Sequence, residues 1–114
     1  MIKEEGLPIF LTYEDGSKFE GCLKNGDRHG LGIMTHANGE VYEGNYKNNR
    51  AYGYGEYRFI DGAIYIGEFK NNQMHGMGRL TQNLELYEGM FKKGKKEGKV
   101  SLSSSTYLPT CNYN

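Results

Sequence analysis

The chain has 114 residues, 37% of them apolar, with 17 glycines, ten tyrosines and five phenylalanines. That length fits one domain, and so low an apolar share excludes a thick two-layer core, leaving aromatic rings to supply most of the burial. Lys plus Arg equals Asp plus Glu, so no global field draws the chain to nucleic acid or to a membrane.

The chain begins "MIKEEGLPIF", of which residues 1–8 form an N-terminal extension. It places acids where a secretory leader would be apolar, and nothing in the chain approaches the ~18 apolar residues of a spanning helix. Two distant cysteines, Cys22 and Cys111, share no motif and read as free thiols in a reducing compartment. The expectation is a soluble, intracellular protein.

Residues 9–18 form a partial leading unit that ends on a turn at Asp15-Gly16. Four copies of one motif follow, opening at Phe19, Tyr42, Tyr65 and Tyr87, at spacings of 23, 23 and 22 residues. Two residues after each opening aromatic stands a glycine: Gly21, Gly44, Gly67 and Gly89. A large apolar residue then precedes a lysine: Leu23-Lys24, Tyr46-Lys47, Phe69-Lys70 and Phe91-Lys92. Further columns hold Gly30, Gly53, Gly76 and Gly98, then Gly32, Gly55 and Gly78, failing at Val100. Sixteen of the seventeen glycines fit this register, which rules out chance.

Within a copy, "YEGNYK" alternates an aromatic-glycine face with a polar face, the period of a β-strand. "GYGEYRF" reads as the return strand, with Gly53, Gly55, Tyr57 and Phe59 on one side. The connection "KNNRAY" has Gly26, Asn49, Asn72 or Gly94 at one position, the residue types that best tolerate positive φ. Each copy is therefore a β-hairpin, and Asn38-Gly39 and Asp61-Gly62 turn the chain into the next one. The third copy lacks one residue and has "QNLE" at that turn. The expected fold is all-β: an elongated, single-layer antiparallel array of hairpins over residues 9–102, with aromatics of adjacent strands lying over the glycines. A Ser-rich tail, residues 103–114, follows, and "KVSLSS" is expected to close the last hairpin.

The pattern Tyr-x-Gly-x-aromatic, followed by Gly/Asn and then Gly-x-Gly, closely resembles the MORN (membrane occupation and recognition nexus) repeat over most of the chain. The resemblance implies a structural or protein–protein interaction role in cytoskeletal, ciliary or membrane-junction assemblies, in the cytoplasm. It implies neither catalysis nor a cofactor.

Candidate chemistry is sparse. The "GLG", "GYG" and "GMG" triplets lie inside expected strands, outside any strand–loop–helix phosphate cradle. "YGYGEYRF" imitates an RNA-binding strand, but its sister copies diverge, so nucleic acid is not an expected partner. His29 and His75 share a column with Tyr52 and Glu97, so that column does not define a metal site, and no Ser/His/Asp or paired-carboxylate arrangement stands out. The lysine column is offset by Glu20, Glu43 and Glu88. The exception is "KKGKKEGK", whose Lys92, Lys93, Lys95, Lys96 and Lys99 offer a weak contact for anionic lipid, or a solvated end that blocks edge pairing. Leu31, Tyr54 and Met77 stand between two glycine columns and should point away from the aromatics. They form a candidate partner surface for an amphipathic helix or a second copy of the chain.

Overall fold

The computed structural model describes residues 8–97. Nine strands form one antiparallel sheet in sequence order. They are β1 Ile9–Thr12, β2 Lys18–Lys24, β3 Asp27–Thr35, β4 Val41–Lys47, β5 Arg50–Arg58, β6 Ile64–Lys70, β7 Gln73–Gln82, β8 Glu85–Lys92 and β9 Lys95–Lys96. The principal extents are 57 × 31 × 24 Å and the radius of gyration is 16.6 Å. A compact chain of this length would have a radius of gyration of about 13 Å, so the array is elongated. No helix occurs among the described residues. Lys99 and the expected closing segment "KVSLSS" lie outside them.

The hairpin tips are tighter than the sequence indicates. Only Asn48-Asn49 connects β4 to β5, so Arg50, Ala51 and Tyr52 of "KNNRAY" belong to the strand. Both tip residues have positive φ, 53° and 72°, as they do at Asn71-Asn72, 52° and 70°. That is the geometry of a type I′ turn, which matches strand twist and favours asparagine. The tip asparagines also stitch neighbouring hairpins together. Asn49 N–H donates to the Arg28 carbonyl at 3.1 Å, and Asn49 Oδ1 accepts from the Arg28 amide at 2.8 Å. Asn72 repeats both bonds with Ala51 at 3.1 and 2.8 Å.

Three turns between units share another design. His36 N–H donates to the Glu40 carbonyl and Gly39 N–H to the His36 carbonyl; Tyr13–Ser17 and Phe59–Ala63 repeat this pattern. Asp15, Asn38 and Asp61 each accept from the amide two residues on, at 2.8, 2.9 and 3.0 Å. The shortened third copy instead uses a two-residue turn, Asn83-Leu84. Leu84 sits there at φ 67° and is 97% exposed. A leucine in the left-handed region carries a steric cost and here gains no burial. Leu84→Gly is expected to raise stability by about 1 kcal/mol, read as a higher urea midpoint.

The second strand carries a bulge in three of the hairpins. Between the pairs Gly44↔Gly55 and Tyr46↔Ala51, one residue of β4 faces three of β5. The same irregularity recurs in β2–β3 and β6–β7. The middle bulge residue is Gly53, at φ 85°. This corrects the expectation that Gly53 is an ordinary inward position of a flat strand: that column serves the bend.

The core is a ladder of rings. Phe19, Tyr46, Tyr42, Phe69, Tyr65, Phe91 and Tyr87 follow one another edge to face, with centroids 5.0–5.5 Å apart. Each such contact contributes roughly 0.5–1.5 kcal/mol beyond area burial. The ring lies over the second glycine of each pair from the adjacent strand, as expected, and it also covers the first, which stands two residues after it on its own strand. Tyr42 covers Gly44 and Gly55, and Tyr65 covers Gly67 and Gly78. The hydroxyls reach past the glycines: Tyr42 donates to the Asn45 carbonyl at 2.6 Å, Tyr65 to that of Glu68 at 2.8 Å and Tyr87 to that of Met90 at 3.0 Å.

Candidate functional site: the face opposite the aromatic ladder

Strand alternation commits one face of the sheet to the ladder, so every second residue is left on the other face. There Leu31, Tyr54 and Met77 are exposed by 67, 64 and 53%. They recur at the equivalent place of β3, β5 and β7, one residue before the paired glycines, and so form one row, with Leu31 paired to Asn45, Tyr54 to Glu68, and Met77 to Met90. A second row runs alongside: Glu20↔Ile33↔Glu43↔Glu56↔Ile66↔Arg79. Leu31 and Tyr54 from the first row, and Glu20, Ile33, Glu43, Glu56 and Ile66 from the second, line an open trough of about 620 Å³. Gly21, Gly32, Gly44 and Gly55 lie between the rows and add no side chain, so the trough crosses the strands at the glycine step.

Its electrostatics lean negative. Arg58 is shared by Glu43 at 3.2 Å and Glu56 at 3.0 Å. Arg79 meets Glu88 at 2.7 Å, while Glu20 forms no ion pair among the described residues. These pairs are exposed and contribute little to stability. They leave acidic charge beside the apolar row.

Of the expected partner residues, the trough takes in Leu31 and Tyr54, and Met77 extends their row beyond it. Sequence columns missed Ile33 and Ile66. Their equivalents in other copies include Glu43, Glu56 and Arg79, so only cross-strand register brings them into one row. Cys22 lines the trough as a half-buried free thiol; Cys111 lies outside the described residues. At the basic end, Lys92, Lys93, Lys95 and Lys96 are exposed. Lys96 Nζ stands 5.1 Å from the Tyr87 ring centre, so one of the candidate lipid-contacting lysines also packs on the ladder.

The titratable groups behave as structural parts. Burial pushes Tyr46 and Tyr65 up to about 12. It also raises Tyr42 and, helped by its bond to Glu40, Tyr57. The hydrogen bond from Ser17 holds Asp15 below the usual carboxylate range, and that from Tyr57 does so for Glu40. Of these four tyrosines kept neutral, Tyr42, Tyr46 and Tyr65 are ladder rings, and Tyr57 packs on Phe59 and His36.

A single sheet of stitched hairpins, aromatic on one face and open on the other, defines a β-hairpin repeat module. The family model described as "MORN repeat" matches residues 19–41, 42–64, 65–82 and 87–99, and the chain belongs to the MORN-repeat family. Repeats of this family are non-enzymatic modules that engage proteins or membranes. The gap between the last two matches contains the shortened Asn83-Leu84 turn. A comparison with curated proteins found no match to the chain.

Proposed function

We propose that the chain is a scaffold module of a larger cytoplasmic assembly, cytoskeletal or ciliary in type, that docks a helix-bearing protein along the Leu31–Tyr54–Met77 row. The observation that carries this reading is the row itself: three large apolar side chains, each more than half exposed, repeating every second strand. Two strand spacings are roughly 10 Å, and seven residues of helix rise ~10.5 Å, so heptad-spaced side chains meet the row in step. The acidic second row favours Lys or Arg on the flank of that helix. Tyr54 is the anchor, since a central tyrosine buries a large area and keeps a hydroxyl for hydrogen bonding.

A second reading has support in the exposed Lys92, Lys93 and Lys95: a weak contact of the basic end with anionic lipid. Pull-downs and vesicle sedimentation with Tyr54→Ser, and with those three lysines replaced by glutamine, separate the two. Tyr54→Ser should melt like the parent and bind the recovered partner roughly 30-fold more weakly. Undiminished affinity for every partner would remove the trough. Vesicle binding that depends on the lysines and fades with salt would support the second reading. A concentration-dependent dimer abolished by Tyr54→Ser would identify a second copy as the occupant.

A further inference from the structure

A smaller cleft, of about 270 Å³, opens on the ladder face. It owes its existence to one residue. The register sets Arg28 opposite Leu23, Ala51 opposite Tyr46, Met74 opposite Phe69 and Lys96 opposite Phe91. Three of these four equivalent positions hold a long side chain, and the second copy holds a methyl group. The vacated space is bounded by the Tyr42, Tyr46 and Phe69 rings, with Arg28 and His36 also on its wall.

Arg28 gives the cleft its polarity. Its guanidinium carbon lies 5.3 Å from the Tyr46 ring centre and 5.8 Å from those of Tyr13 and Phe19. Nη1 donates to the Tyr13 hydroxyl at 3.0 Å and Nη2 to the Asn49 carbonyl at 2.9 Å. Both acceptors are neutral. Nε is buried without an acceptor, and no carboxylate pairs with Arg28 among the described residues. Across the cleft, Tyr57 donates to Glu40 at 2.7 Å, and Glu40 also accepts from the Ile60 amide at 3.1 Å, so that carboxylate is already engaged. The cleft thus combines an apolar aromatic wall with a cation lacking a counter-charge.

We propose that this cleft binds a small apolar carboxylate, its hydrocarbon part against the rings and its carboxylate toward Arg28. The volume suits one amino-acid-sized group, since an apolar cavity of about 150 Å³ already holds benzene. The same chemistry is offered by the C-terminal residue of a peptide and by a free aromatic acid. This site is on the opposite face from the proposed docking trough and does not depend on it.

Amide chemical shifts of the full chain, followed in solution, test the site with three probes: N-acetyl-phenylalanine, phenylacetate and the neutral N-acetyl-phenylalanine amide. The acids should move the amides of His36, Ala51 and Asn72, with millimolar dissociation constants for so few atoms. The neutral amide should bind about tenfold more weakly, because it lacks the charge-assisted contact. A tighter N-acetyl-phenylalanine identifies a peptide terminus as the source; a tighter phenylacetate identifies a free acid. Ala51→Met places in the second copy the residue that the third carries as Met74. It should fill the cleft, leave the melting temperature unchanged or higher, and abolish the shifts. Arg28→Met should bring the acids down to the level of the neutral amide. Equal binding of acid and amide, shifts that survive in Ala51→Met, or no shift at millimolar probe would each overturn the proposal. Ala51→Met decides the matter alone if Arg28→Met fails to fold.

Discussion

Gly67→Ala is expected to lower the unfolding free energy by about 3 kcal/mol, an unusually large loss for a single methyl group. The added Cβ would lie 2.5 Å from Gly78 Cα, 2.6 Å from the Met77 carbonyl oxygen and 2.7 Å from the Tyr65 hydroxyl. Two of these are backbone atoms of the paired strand and cannot rotate away. The third belongs to a ring held by its own bond to the Glu68 carbonyl. Relief therefore requires opening the β6–β7 pair at the centre of the array. Urea unfolding followed by circular dichroism measures the loss. Asn45→Ser is the control: its side chain faces away from the ladder and makes one exposed bond, to the Tyr54 carbonyl at 3.1 Å. It should stay within about 0.5 kcal/mol of the parent. Equal midpoints for the two variants would refute the close-packing account.

Tyr65→Ala should cost still more, about 4 kcal/mol, whereas Tyr65→Phe should cost only about 1. Tyr65 is fully buried and meets Phe69 and Phe91 edge to face at 5.1 and 5.0 Å. Truncation breaks the ladder in the middle and uncovers Gly67 and Gly78 together. Removing the hydroxyl leaves every ring contact in place and forfeits one bond. The chain already shows that exchange tolerated: the first copy opens on Phe19, which is buried, covers Gly21 and Gly32 and has no hydroxyl. Comparable losses for the two variants would show that the hydroxyl, and not the ring, holds the step together.

The repeat period, the hairpins and the exposed row were legible because each leaves a recurring residue type at a fixed position, in the row's case over the first three copies, with Lys99 in the fourth. Two features were not. Glycines that make room for a ring and glycines that shape a bulge both appear as an empty column. Gly53 and Gly55 differ in backbone angle, and only Gly53 has positive φ. The two walls of the trough and the cleft arise across strands. Ile33 and Ile66 fall in variable columns, and Ala51 lies in what reads as a polar connection. Their meeting depends on a register set by the bulge, and a one-dimensional pattern does not encode it.

The ladder begins and ends on a cation: Arg28 packs on Phe19 at one end, and Lys96 on Tyr87 at the other. Ring faces carry partial negative charge, so a terminal ring without a further aromatic neighbour is satisfied by a positive group. Among the described residues the ring ladder is therefore flanked by a cation at its first ring and at its last, while its interior is modular. Growth by duplication leaves both contacts intact when the extra period is inserted between the two cations, for example as a second copy of residues 42–64. The length of such a ladder is open to change from within, with both flanking charges left in place.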